Sequence, residues 1–416
     1  MKEIKKSQKL NHVCYDIRGP VMEAAARLES QGHRIVPLNT GNPGRFGFSP
    51  PENMRLNIIQ NLSRAEPYVD SQGMPSARQV ILEDCRRKGF PSIDLEDIWV
   101  GNGVSEMISL VITALVDNGD EILIPSPDYP LWTATVTLAG GRPVPYRCDE
   151  AAGWQPDLQD IRTKIGPRTK GLVIINPNNP TGAVYERPVI EGLIQIAREH
   201  SLILLSDEIY DRILYDGDSH CSPACLTGEI PVITFNGLSK VFLAAGYRAG
   251  WFILSGPKGG FKDFREGLSI LANMRLCGNT FSQLAVEAGF EPGIAAIKAL
   301  VSPGGRLYEQ REAIYRGITS IPGLSCAKPR GALYLFPRID VNKFSITNDE
   351  TFVLDFLREK KVLLVHGRGF NWPEPDHFRI VFLPPVEELL AVVEELRDFL
   401  TGYNQGLPQN GQGVKA

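Results

Sequence analysis

Val232-Ile233-Thr234-Phe235-Asn236-Gly237-Leu238-Ser239-Lys240 is an apolar run that breaks into a glycine turn and a lysine. Arg248 follows in Gly246-Tyr247-Arg248-Ala249-Gly250, and a second apolar run, Trp251-Phe252-Ile253-Leu254, comes next. Near-continuous runs of this kind predict strands buried on both faces, with the lysine in the connection between them. A connection held by a rigid scaffold can aim its side chains at a ligand. A lysine amine forms a Schiff base with a carbonyl when burial or a neighbouring cation lowers its pKa. Arg248 could supply that cation, or hold a phosphate. Alone, Leu238-Ser239-Lys240 reads as readily as a surface turn, because most lysines are solvated.

Further apolar runs at 98–100, 121–124, 172–175 and 202–205 predict more strands. Helical patterns at 104–116 and 188–199 lie between them. In the latter, Ile190, Leu193, Ile194 and Ala197 make one apolar face. Beta-alpha alternation over residues 49–300 implies an open α/β sheet, with functional groups just past the C-terminal ends of its strands. Residues 301–405 read as a smaller α+β domain: strands at 333–336, 362–365 and 378–381, helices at 351–359 and 386–400. Residues 1–48 read as an arm. Its helix is opened by Pro20 and ended before Gly32, a short strand covers 35–39, and a loop at Thr40-Gly41-Asn42-Pro43-Gly44 admits close approach of a ligand. The tail, 406–416, is expected to be disordered.

Composition narrows the class. The chain has 416 residues, 43% hydrophobic and 22% charged, ample for a large core. A net charge of −4 without a basic block argues against a nucleic-acid footprint. The basic start is followed by a polar segment rather than a signal-peptide core, which points to the cytoplasm. Seven scattered cysteines read as reduced thiols. His220, Cys221 and Cys225 lack a second ligand cluster at zinc spacing, so no metal is expected.

Five stretches fall where the α/β rule expects ligand contacts. Val100-Gly101-Asn102-Gly103-Val104-Ser105-Glu106 turns from strand to helix and offers amides for a phosphate, and Ser105 also reads as a plain helix cap. Pro125-Ser126-Pro127-Asp128-Tyr129-Pro130 stiffens a turn whose Tyr129 can stack on a flat ring. Asn176-Pro177-Asn178-Asn179-Pro180-Thr181-Gly182 builds a rigid turn with an amide donor. Ser206-Asp207-Glu208-Ile209-Tyr210 puts a carboxylate at a strand end, able to hold a protonated ring nitrogen. The lysine stretch is the fifth. Arg379, inside Phe378-Arg379-Ile380-Val381, needs a partner and suits a carboxylate. Each stretch has a purely structural reading. Together they are the contacts that pyridoxal phosphate and an amino acid require.

On these motifs the chain resembles the fold-type I, class I/II aminotransferases that use pyridoxal 5'-phosphate. Cys14-Tyr15-Asp16-Ile17-Arg18-Gly19-Pro20, Asp128-Tyr129-Pro130-Leu131-Trp132-Thr133 and Phe370-Asn371-Trp372-Pro373 are similar to the bacterial glutamate–pyruvate (alanine) aminotransferase subgroup. The resemblance implies a large domain with a mainly parallel, seven-stranded sheet between helices, a small domain and an N-terminal arm. It implies that Lys240 is the Schiff-base lysine, Asp207 the pyridinium partner and Tyr129 the stacking ring. Asn179 and Tyr210 then bond the cofactor's 3' oxygen, Val104, Ser105 and Arg248 contact its phosphate, and Ser239 is a further cofactor-binding residue. Arg379 and Gly41 hold the α-carboxylate. Tyr68, in Tyr68-x4-Gly73-x4-Arg78, reaches the phosphate of a partner subunit, which implies a homodimer with shared sites. Tyr15 and Arg18 close over the site, with Arg18 facing the distal carboxylate of glutamate. The implied reaction is ping-pong transfer between alanine and 2-oxoglutarate. A specialised biosynthetic substrate, or a lyase or oxidase reaction on the same fold, shares every cofactor motif. A DNA-binding regulator would need a module ahead of Tyr15, and the short arm does not supply one. The chain departs from the subgroup at Leu243, where an arginine is expected, at Thr40, Gly44 and Arg45, and in a shortened 218–230 segment.

Overall fold

The central sheet has eight strands: β1 (Ile98–Gly101), β2 (Glu121–Ser126), β3 (Arg142–Asp149), β4 (Gln155–Pro156), β5 (Thr169–Ile175), β6 (Ile203–Asp207), β7 (Val232–Gly237) and β8 (Gly250–Ser255). Their order is β1-β8-β7-β6-β5-β2-β3-β4. The structure, a computed structural model, describes residues 3–13 and 19–406. The α/β class is as expected, and β3, β2, β5, β6 and β7 run parallel. The expected seven strands are joined by an eighth, the two-residue β4, antiparallel at the β3 edge. The strands flanking the lysine are antiparallel, as are β8 and β1. Parallel neighbours need a crossover, usually a helix. The 238–249 connection carries only the short turn Ala245–Tyr247, so the chain returns beside β7 in the opposite sense.

Strand β3 is absent from the sequence reading because Pro143 and Pro145 disguise it. Arg142 N donates to Asp120 O at 2.7 Å, so alternate residues Val144 and Tyr146 also turn their N–H groups toward β2. The prolines therefore face the outer side, where β4 pairs only with Cys148 and Asp149 and no donor is needed.

Both faces of the sheet are covered. Trp99 stacks on Phe252 (5.8 Å between centroids) and Trp132 meets Phe235 edge-on (5.3 Å) on one face. The other face packs Leu172, Ile174, Leu204 and Val232 into the main core. The expected face of helix Arg187–Glu199 is buried at Ile190, Leu193, Ile194 and Ala197, each side chain contributing about 1.5–3 kcal/mol for the larger ones.

The N-terminal helix Pro20–Ser30 forms as read. The strand after it shortens to Val36–Pro37 and pairs, parallel, with Val362–Leu363. The run at 362–365 is split. Val362–Leu363 faces the N-terminal strand, whereas Val365–His366 pairs with Phe378–Val381. That last strand also pairs with Tyr334–Leu335. Helices Asp349–Lys360 and Val386–Gly402 complete this part. No helix of the described residues is long and apolar enough to cross a membrane. Residues 407–416 of the expected tail lie outside the described residues.

Candidate active site

The parallel strands all end at one edge of the sheet, and the predicted stretches meet there around a cavity of about 280 Å³. Gly41, Val104, Ser105, Tyr129, Asn179, Asp207, Tyr210, Ser239, Lys240, Arg248 and Arg379 all line it. Tyr68 does not. Its side chain is 78% exposed, away from this cavity. Tyr15 and Arg18 lie outside the described residues.

Lys240 sits in a loop closed by its own backbone. Leu238 N donates to Ala249 O (3.1 Å), Ala244 N to Leu238 O (3.1 Å) and Leu243 N to Lys240 O (3.1 Å). Leu243 has φ 57° and its side chain is buried in the main core, so it packs rather than facing the cavity mouth. The Lys240 ammonium donates to the carbonyl of Gly41.

Asp207 is the last residue of β6 and is buried. Its Oδ2 accepts from Trp132 Nε1 (3.2 Å) and its Oδ1 from Ile209 N (3.3 Å). Burial pushes its carboxyl up to about 6, against these bonds and the nearby Lys240 charge. A neighbouring cation stabilises the charged form of a carboxylate buried in this way.

Helix Val104–Leu115 begins after Gly103, at φ +93°, with no side-chain cap. The Ser105 cap reading is therefore set aside, and the first N–H groups are left for a ligand. Arg248 crosses this turn, donating to Asn102 O (3.3 Å) and Ala245 O (3.0 Å). A Cβ on Gly103 would lie 2.4 Å from Arg248 Nη2, and one on Gly250 would lie 2.2 Å from Val104 N. The two glycines thus keep open a cradle of amides and guanidinium.

Arg379 is buried. Its Nη1 donates to Asn179 Oδ1 (2.9 Å), and its Nη2 to the carbonyl of Asn39. Its guanidinium lies 4.6 Å from the Tyr334 ring and 4.4 Å from the Phe370 ring. Its Nε has no hydrogen-bond partner among the described residues. Burial lowers its pKa, yet a guanidinium stays charged in proteins. An uncompensated cation with a free donor, at the cavity wall, fits a carboxylate.

Two site residues escape the sequence reading. Tyr334 lines the cavity, and its hydroxyl meets that of Tyr210 at 2.5 Å. Burial and this neighbour hold the Tyr210 phenol well above its usual range. The only signal was a polar-tipped ring in an apolar strand, where a buried hydroxyl needs a partner. Trp132 is the second, its indole N–H donating to Asp207, and a buried indole N–H carries the same signal.

Residues 33–396 match the family described as aminotransferase class I and II. Over 405 residues the chain is 52% identical to the glutamate-pyruvate aminotransferase AlaA of Escherichia coli, covering 97% of this chain and all of that one. It is 52% identical over 400 residues to an alanine aminotransferase of Mycobacterium bovis, covering 96% and 93%. The crystal structure of an aminotransferase from Escherichia coli superimposes with a TM-score of 0.94, at 52% identity over 97% of this chain and 100% of that one. The chain belongs to the aminotransferase class I and II family.

Proposed function

We propose that this aminotransferase moves the amino group between L-alanine and 2-oxoglutarate, giving pyruvate and L-glutamate, with pyridoxal phosphate bound covalently at Lys240. The observation that carries the reading is the convergence of Lys240, Asp207 and Arg379 on one cavity. The similarity to enzymes named glutamate-pyruvate and alanine aminotransferase supports the choice of substrates.

The family implies pyridoxal phosphate, and the residues fit it. The glycine cradle beside Arg248 suits a phosphate, and the buried Asp207 suits a ring nitrogen's proton. When bound, the cofactor supplies a reactive aldehyde and an electron-accepting ring. Arg379 orients the substrate by its carboxylate, assisted by Gly41. Lys240 Nζ, at the cavity wall, would take the proton from the substrate Cα as general base and give it up again as general acid. Asp207 would hold the cofactor's protonated ring nitrogen by a charge-assisted bond. Tyr210 and Asn179 would donate to the cofactor's 3' oxygen, and Tyr129 would stack on its ring.

The same reading includes a homodimer. Leu56, Ile59, Leu62, Tyr68 and Phe281 are exposed, and helix Glu52–Gln60 adjoins Thr280–Val301 through Asn57, whose Nδ2 donates to Leu284 O (2.7 Å). Exposed apolar side chains on adjoining elements support contact with a second copy, to which Tyr68 contributes its hydroxyl. Residues 49–300 then form the large domain, and 301–405, joined by the N-terminal strand, the small one.

The test is a half-reaction. Holoenzyme mixed with L-alanine, or separately with L-glutamate, should lose the visible absorbance of its bound cofactor and release pyruvate or 2-oxoglutarate. No conversion with either would sink the substrate assignment. A narrower prediction concerns Tyr334. Tyr334→Phe leaves the Tyr210 hydroxyl buried without its neighbour, a change of about 1–2 kcal/mol. Turnover should fall roughly tenfold, and steady-state kinetics with unchanged turnover would refute the role.

A further inference from the structure

The turn that carries Tyr129 is tied to a segment remote in sequence. Asp128 N donates to Phe370 O (2.9 Å), and Ser126 Oγ donates to Asn371 O (3.0 Å). Asn371 Nδ2 donates to Asp128 Oδ1 (2.6 Å), and Thr133 Oγ1 to Asp128 Oδ2 (2.7 Å). Asp128 is fully buried, and Phe370 nearly so. Phe370 is the floor under the Arg379 guanidinium, while Tyr129 lines the cavity beside Asp128. Asn371 takes a left-handed conformation, φ 56°, to present both its carbonyl and its amide to the turn. Asparagine tolerates that region better than most side chains.

A buried carboxyl held only to anchor a turn is a costly choice. Burial pushes Asp128 up to about 7, opposed by the Asn371 and Thr133 bonds. Tyr146 and Cys148 of β3 face it electrostatically, and both are themselves pushed up by burial. An apolar contact would fasten the loop at less cost. What the polar contacts add is direction, since amide and hydroxyl each fix one carboxyl oxygen.

We propose that Asp128 and Asn371 are positioning residues that clip the Tyr129 turn to the Phe370 floor of Arg379, and so set the spacing between the cofactor ring and the substrate carboxylate. The proposal rests on the cofactor reading above. Three hydrogen bonds tie the ring-stacking turn to the segment beneath the carboxylate clamp, and of these the Asn371–Asp128 bond alone joins two side chains. Slack in it moves both ends of the substrate site relative to each other, and a misplacement of about 1 Å is enough to cost rate.

The experiment compares Asn371→Ala, Asn371→Asp, and the double exchange D128N with N371D. Readouts are the visible circular dichroism of the bound cofactor, its dissociation constant from the apoprotein, and KM and kcat for L-alanine. Asn371→Ala should raise KM about tenfold, lower kcat less, and alter the cofactor's dichroic band. In Asn371→Asp two carboxyls face each other, so one proton can bridge them. It should behave like wild type at low pH and like Asn371→Ala as pH rises. The double exchange restores one donor and one acceptor, and should recover KM and the band. Lowered thermal stability with KM and band unchanged would overturn the proposal, as would failure of the double exchange to recover either. If Asn371→Ala does not fold, the double exchange and the Asn371→Asp pH profile decide. Should the substrate assignment fail while cofactor binds, the dichroic band and dissociation constant still decide the Tyr129 half.

Discussion

Lys240→Ala should lose turnover by roughly ten-thousand-fold or more, because both a covalent anchor and the proton-moving base go with one side chain. The expectation is specific to chemistry rather than folding. The loop is closed by backbone bonds from Leu238, Leu243 and Ala244, none of which involves the lysine side chain. Far-UV circular dichroism and thermal unfolding should therefore stay close to wild type. Cofactor should still enter the Gly103–Arg248 cradle, but gel filtration should strip it, since nothing then holds it covalently. Single-turnover mixing with L-alanine measures the loss directly. Turnover within a hundredfold of wild type would remove Lys240 from the centre of the mechanism.

Asp207→Asn is the second large effect. The substitution keeps the shape, and its amide oxygen can still accept from Trp132, but it removes a buried negative charge. Without it a positive ring nitrogen would be buried and uncompensated, a penalty of about 3–5 kcal/mol, or roughly a hundred- to several-thousand-fold in rate. Steady-state kcat at saturating alanine checks this, and a loss below tenfold would refute the pairing. A second signature appears in the apoprotein. The folded carboxyl holds its proton up to about 6, whereas an unfolded aspartate releases it near about 3.9. The folded form binds the proton more tightly, so stability contributed by this group is greatest below the lower value and falls as pH rises through about 6. Apo wild type should lose stability across that window more steeply than apo Asp207→Asn. Equal slopes would mean that the carboxyl is not perturbed.

Much of the site was readable because each group follows a local pattern. Asp207 ends an apolar run, Asn179 lies in a doubled Asn-Pro turn, and Lys240 follows Asn236-Gly237. A strand's period and the turn after it are properties of adjacent residues, so they survive in the linear sequence. Arg379 was found by contradiction, as a cation among apolar neighbours. Where the pattern was masked, the reading failed. Pro143 and Pro145 hid β3, and the two-residue strand at Gln155–Pro156 is too short to show a period.

The sequence by itself determined the α/β class, the end of the sheet where function collects, and the residue types gathered there. Tertiary structure decided which of those residues touch. The Tyr210–Tyr334 contact joins positions 124 apart, Arg379–Asn179 joins positions 200 apart, and Asn371–Asp128 joins positions 243 apart. Such meetings depend on strand order, on the reversal of β8, and on how Phe378–Val381 packs against the ends of the parallel strands. The reason is physical: hydrophobic periodicity reports which face of an element is buried, but it is indifferent to which other element buries it. Lys240 could be named from nine consecutive residues, whereas the clip between Asp128 and Asn371 exists only once the chain has folded.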